Sequence, residues 1–233
     1  MDHSREIIFK KETYQEVEGL HPRVHAKELD RIFGYKIPKI EEKLNQKYRV
    51  YYQANDESNR KKHFEGTQTW IGLHPQVLQT PYSEILACFQ FLKDENVESI
   101  IDIGSAYGRV GLVKNCLFPD AEFLGYEILK KRECEGNRIF QKYGLNNCKI
   151  LNENVLDDNF ELPDAQVYFI YDFSEYNDIC TILDLLSLKV GRLKFFLISK
   201  GEQLDFLISK KYRDFWKTHS LVSIGDLKIY QPG

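Results

Sequence analysis

The sequence predicts an α/β fold: a doubly wound, mostly parallel seven-stranded sheet with an antiparallel terminal strand, preceded by a helical and irregular N-terminal cap. Three observations carry this. From about Tyr82 onward, β-branched and aromatic runs alternate with amphipathic stretches, the pattern of parallel strands joined by crossover helices. The β-branched run 98–103 ends in a glycine-containing turn that opens an apolar helix. The last two short apolar runs flank Gly225-Asp226, which closes the chain with a tight antiparallel hairpin instead of another crossover.

The elements follow in order. Residues 83–92 predict a helix with Ile85, Leu86, Phe89 and Leu92 on one face. Residues 98–103 are the first strand, 108–117 a helix and 121–127 the second strand. Residues 130–143 form a charged amphipathic helix closed by Gly144, and 148–151 a short third strand. The run 166–171 is apolar on both faces, as a central parallel strand should be. A helix at 177–189, a fifth strand at 192–199 and a helix at 203–215 come next, then the hairpin strands 219–224 and 227–230. Residues 81–233 make up this domain. Residues 1–80 are expected to cap it, lying over the sheet edge, because so short a stretch with few apolar clusters cannot hold a core of its own. Within the cap, 28–48 is helical in character and interrupted at Pro38, 53–63 is a polar loop, and 64–81 is irregular.

A chain of 233 residues, 42% hydrophobic and 13% aromatic, suits one such domain with a real core. With 32 basic against 35 acidic side chains, the net charge of −3 gives no strong nucleic-acid signal and no pull toward an anionic membrane. Cys88, Cys116, Cys134, Cys148 and Cys180 are odd in number and lack a C-x-x-C pair, so buried reduced thiols are expected. His21, His25, His63 and His74 have no ligand spacing, and no metal is expected. No apolar run reaches the ~18 residues of a membrane span. The opening residues lack a secretory core, so a cytoplasmic protein is expected.

The chemistry concentrates in Ile100-Ile101-Asp102-Ile103-Gly104-Ser105-Ala106-Tyr107-Gly108-Arg109. A dinucleotide fingerprint would need glycine where Ala106 and Arg109 stand, and a Walker phosphate loop would need Gly-Lys-Ser/Thr. What remains is D-x-G-x-x-x-G. A carboxylate two residues before the first glycine repels a pyrophosphate and suits a cationic ligand, such as the ammonium and sulfonium of S-adenosylmethionine.

This segment resembles the first signature, [DE]-x-G-x-G-x-G, of the seven-β-strand, Rossmann-like S-adenosylmethionine-dependent methyltransferases, departing from it at Ala106. The resemblance implies that Asp102, Gly104, Ser105, Ala106 and Gly108 surround the cofactor. Glu127 ends the second strand, nineteen residues after Gly108, where an acid in nucleoside-binding folds accepts hydrogen bonds from ribose hydroxyls. Asn152 to Asp157 is similar to the family's adenine loop. By register Asn154 and Val155 hold the adenine, with Glu153 or Asp157 as alternatives.

Past the fourth strand comes Tyr171-Asp172-Phe173-Ser174-Glu175-Tyr176, where ligands of open parallel sheets bind. It lacks the prolines of [ND]-P-P-[YFW], which counts against exocyclic base amines and glutamine amides. An aromatic, acidic loop suits a cation or an amine, although Phe173 and Tyr176 could equally pack on the next helix. Upstream, 80–85 with 66–70 resembles the Y-G-E-type segment of the disruptor-of-silencing histone lysine methyltransferases and, more broadly, non-SET protein lysine methyltransferases. That resemblance implies cofactor-side roles for Tyr82 and Glu84. Tyr171, Asp172, Tyr176 and Tyr82 are then expected to line a channel for a protein side-chain amine, with lysine the first expectation. Small-molecule or RNA methylation, and a cofactor-binding protein without turnover, are the alternatives.

Overall fold

The computed structural model describes residues 6–54, 70–213 and 222–231. Its strands are β1 (Ser99–Ile103), β2 (Glu122–Tyr126), β3 (Cys148–Leu151), β4 (Val167–Tyr171), β5 (Phe196–Lys200), β6 (Val222–Ile224) and β7 (Leu227–Tyr230). They form one sheet in the order β3-β2-β1-β4-β5-β7-β6. β1 to β5 pair in parallel, and β7 runs antiparallel to both β5 and β6. The sheet is therefore the expected one, with six strands in one direction and β7 in the other. The strand order reverses between β1 and β4, which opens a crevice beyond their carboxyl ends.

The helices are α1 (Pro22–Phe33), α2 (Ile37–Ala54), α3 (Tyr82–Phe91), α4 (Arg109–Val113), α5 (Lys130–Tyr143), α6 (Tyr176–Ser187) and α7 (Glu202–Lys210). Alternation along the strands divides them between two faces. Ile100, Phe123, Ile150, Phe169 and Ile198 pack under α3, α4 and α5. Ile101, Ile103, Tyr168, Ile170 and Leu197 pack under α6 and α7.

Some boundaries differ from expectation for local reasons. α4 has five residues and passes into a 3₁₀ turn at Lys114–Cys116. The fifth strand starts at Phe196 because Gly191, at φ +75°, and the Leu193 N–H to Lys189 carbonyl bond hold the preceding residues in a turn. The cap helices break at 34–36, where Gly34 closes α1 at φ +83°, and Pro38 sits in the first turn of α2, where its missing N–H costs nothing. Residues 53–54 belong to α2. The rest of the expected polar loop, the 66–69 segment, His63 and residues 219–221 of the hairpin lie outside the described residues.

The α1 part of the cap rests on the helical layer. Ala26, Leu29 and Phe33 give α1 an apolar stripe, and it shares one core with α3, α4 and α5. Tyr14, Phe33, Tyr82 and Tyr143 meet there with ring centroids 5.6 to 6.0 Å apart. Two buried ion pairs tie the layers together: Arg109 to Asp30 at 2.5 Å and Arg132 to Glu41 at 2.8 Å. All five cysteines are free thiols. Cys88, Cys148 and Cys180 are buried, whereas Cys134 is exposed on α5, against expectation. Among the described residues, no His, Cys, Asp and Glu cluster could hold a metal, and no helix is long and apolar enough to cross a membrane.

Candidate ligand cleft at the strand ends

Beyond β1 the chain must reverse into α4 within a few residues, and it does so through left-handed backbone. Gly104 has φ +75°, Ala106 +48° and Gly108 +76°. The Ser105 N–H donates to the Tyr126 carbonyl at 2.8 Å, and the Gly108 N–H to that of Ser105 at 2.8 Å, which fixes the turn. Ala106 occupies the conformation for which the signature favours glycine; alanine adopts it at a cost of roughly 1–2 kcal/mol. A Cβ on Gly108 would meet Phe140 at 2.6 Å and Ile150 at 2.9 Å. Gly108 therefore serves the packing of α5 and β3, and does not line the cleft as the resemblance implied.

The loop borders a cleft of about 250 Å³. Gly104 and Ala106 form one side, Glu127, Asn154 and Val155 another, and Tyr171, Asp172 and Phe173 the end beyond β4. A smaller cavity, bordered by Asp102 and Ser105, shares Leu78, Gly104, Ala106 and Tyr171 with it.

Electrostatically the two acids differ. Asp102 is 5% exposed, and burial pushes its carboxyl well above the usual range, with the Glu127 carboxylate adding to the effect. No hydrogen bond from a described residue reaches it. Glu127 is equally buried, and burial raises its pKa, but the Arg132 guanidinium and the N–H groups of Leu129 and Ala106 counteract this. Its Oε1 accepts the Leu129 N–H at 2.8 Å. Asn154 is held in a turn, its Oδ1 accepting the Leu156 N–H at 3.1 Å and its Nδ2 donating to Asp157 at 2.8 Å.

The residues expected around an amine acceptor are only partly brought together. The Tyr171 ring lines the cleft, and its hydroxyl donates to the Val77 carbonyl at 3.0 Å. The Asp172 carboxylate accepts the Leu204 N–H at 3.0 Å and the Gln203 N–H at 3.3 Å, so it caps α7 while bordering the cleft. Asp172→Ala should accordingly lower stability by about 1 kcal/mol, the usual worth of a cap. Thermal unfolding checks this; an unchanged Tm would contradict the capping role.

Tyr82 and Glu84 do not approach the cleft. Tyr82 is fully buried, its hydroxyl donating to Asp30 at 2.8 Å and its ring lying under Arg109 at 4.8 Å. Glu84 is ion-paired with Lys200. Tyr176 opens α6, is 45% exposed and does not line the cleft.

Sequence reasoning missed the roof. Trp70, Leu73, Val77 and Leu78 cover the cleft, and Arg132 reaches its edge. The segment is tied down along its length: Arg132 donates to the Trp70 carbonyl at 3.4 Å, Gln76 to Asp30 at 2.9 Å and Arg109 to the Thr80 carbonyl at 3.2 Å. The available signal was compositional, since a stretch this apolar without periodicity must cover something.

No family model matches the chain, and no curated protein does. Solved structures do share its fold. An S-adenosylhomocysteine-bound methyltransferase of Podospora anserina superposes with a TM-score of 0.54 at 15% identity, over 69% of this chain and 82% of that one. Precorrin-6y C5,15-methyltransferase of Geobacter metallireducens gives 0.51 at 16% identity, over 72% and 93%. An RNA methyltransferase of Salinibacter ruber, in complex with S-adenosylhomocysteine, gives 0.50 at 13% identity, over 66% and 91%. The chain thus has the seven-stranded, Rossmann-like fold of S-adenosylmethionine-dependent methyltransferases.

Proposed function

We propose that the chain is an S-adenosylmethionine-dependent methyltransferase acting on a small-molecule acceptor with an apolar, flat body. The observation that carries the cofactor assignment is Asp102: a buried carboxylate with no hydrogen-bond donor among the described residues, beside a cleft of this fold. Such a group calls for a cation. The rest of the cleft fits the same ligand. Gly104, Glu127, Asn154 and Val155 all line it; Gly104 would let backbone approach the ligand closely, Glu127 would accept from ribose hydroxyls, and Asn154 with Val155 would border the adenine. Bound there, S-adenosylmethionine supplies a methyl group already activated on sulfur. The chain's task is then to align an acceptor with it and keep water out.

The lysine reading loses its support, because Asp172, Tyr82 and Glu84 spend their polar groups on α7, Asp30 and Lys200. Trp70, Leu73, Val77 and Phe173 favour an apolar acceptor instead. Incubating the protein and labelled S-adenosylmethionine with cell extract tests this. Label is expected in the small-molecule fraction and unaffected by protease or RNase; label that follows protein or RNA would overturn the acceptor assignment.

Asp102 also makes the ligand-free chain pay for its function. Its raised pKa means that the folded chain binds this proton more tightly than the unfolded one. The associated stability is fully present below the unfolded carboxyl's pKa of about 3.9 and falls as pH rises toward the folded value. Asp102→Asn is therefore expected to raise Tm at pH 7 while weakening S-adenosylhomocysteine binding at least tenfold. Calorimetry and thermal unfolding read both, and a lowered Tm with unchanged binding would refute the role.

A further inference from the structure

At the end of the cleft beyond β4, Ser174 is paired with Asp178. The Ser174 Oγ donates to the Asp178 Oδ2, four residues on in the first turn of α6. The N-cap residue of that helix makes no side-chain cap bond. Serine and aspartate are residue types that ordinarily cap, and here they are bonded to each other instead. Ser174 is 2% exposed and lines the cleft beside Tyr171, Asp172 and Phe173. Asp178 is half-buried, so it connects the pair to solvent.

The other polar groups at this end are spoken for. The Tyr171 hydroxyl donates to the Val77 carbonyl, and the Asp172 carboxylate accepts from the backbone of Gln203 and Leu204. The Ser174 carbonyl accepts from the Gln203 Nε2 at 3.1 Å. The Ser174 hydroxyl differs. Its hydrogen is committed to Asp178, which leaves the oxygen as an acceptor with a lone pair to spare. One neutral acceptor suits the O–H of a substrate, whereas an ammonium would bring three hydrogens and a charge. Asp178 supplies what a serine lacks, a base.

We infer that Ser174 accepts the hydrogen of an acceptor hydroxyl and relays the proton to Asp178, so that the apolar acceptor of this cleft is methylated on oxygen. The inference rests on the proposed function and names the atom that is methylated. The oxygen–methyl bond forms as the methyl–sulfur bond breaks, and the electron pair of the broken bond stays on sulfur. The acceptor's proton moves to the Ser174 Oγ, and the proton already there moves to the Asp178 Oδ2 and on to water. An O–H whose oxygen is gaining a methyl becomes strongly acidic, so a carboxylate is base enough. Ser174 is then the catalytic residue, and Asp178 acts through it.

The test uses the full chain, labelled S-adenosylmethionine and the small-molecule fraction of a cell extract. The labelled product is expected to survive mild alkali and to release labelled methyl iodide in hot hydriodic acid, as a methyl ether does. Asp178→Asn keeps a hydrogen-bond acceptor for Ser174 but cannot take the proton. Its kcat should fall by about a hundredfold or more, the contribution of a positioned base, with KM and S-adenosylhomocysteine affinity unchanged. Its rate should also rise with pH more steeply than that of the wild type, as hydroxide replaces the missing base. Ser174→Ala should show the same loss, and it repeats the measurement should Asp178→Asn not fold. An alkali-labile ester, a methyl that resists hydriodic acid, or folded variants with wild-type kcat and parallel pH profiles would overturn the inference and leave the methyltransferase standing. A wild type that labels no small molecule would overturn the reading on which the inference rests.

Discussion

Gly104→Val is expected to abolish S-adenosylhomocysteine binding, a loss of at least a hundredfold, or about 2.7 kcal/mol. Two effects combine. At φ +75° any side chain is strained, and a β-branched one most of all. A Cβ at this position would also lie 2.7 Å from the Phe173 Cβ, pressing the β4 loop outward and projecting methyl groups toward the cleft. Gly144 supplies the control. It has φ +72° but nothing within 4 Å of an added Cβ, so Gly144→Ala should cost some stability and leave binding unchanged. Calorimetry on both variants, with circular dichroism to establish folding, makes the comparison. Wild-type affinity in a folded Gly104→Val would defeat the cofactor assignment.

The parts of this molecule that sequence makes legible are those decided within a few residues. β1 reads as a strand because three of its five residues are the β-branched Ile100, Ile101 and Ile103, and the turn after it reads as a turn because Gly104 and Gly108 permit left-handed backbone. The hairpin at Gly225-Asp226 is equally local. What the sequence did not reveal depends on partners far along the chain. Asp172 looks like a free acid in a loop, yet the N–H groups that claim it belong to residues 203 and 204. Tyr82 opens a helix that is buried at Ser83, Ile85, Leu86, Cys88 and Phe89, so almost no side of α3 faces solvent and periodicity does not indicate where Tyr82 points. The roof has no period at all, and its position follows from side chains on α1, α4 and α5. Local chemistry therefore finds the floor of the cleft, and only tertiary contacts reveal its cover.

That cover depends on one ion pair. Arg109 and Asp30 are 2% and 8% exposed at the side chain, and the guanidinium also holds Gln76 and the Thr80 carbonyl. Asp30 in turn accepts from Tyr82 and Gln76. Removing one partner leaves a buried charge unpaired, which costs about 3–5 kcal/mol. In a chain of this size each kcal/mol shifts Tm by about 2–4 °C. Asp30→Leu and Arg109→Met are thus expected to lower Tm by roughly 10 °C each. The double variant Asp30→Leu/Arg109→Met should recover much of that loss, because an apolar pair avoids the desolvation of two charges. Scanning calorimetry of the two single variants and the double closes the cycle, and additive losses would show that the pair is not coupled. Binding separates stability from function. The double variant regains a packed interface but no longer ties the Thr80 carbonyl or Gln76, so its S-adenosylhomocysteine affinity should stay depressed after Tm has recovered. Recovery of both together would mean that the ion pair serves the fold alone and that the roof needs no polar tether.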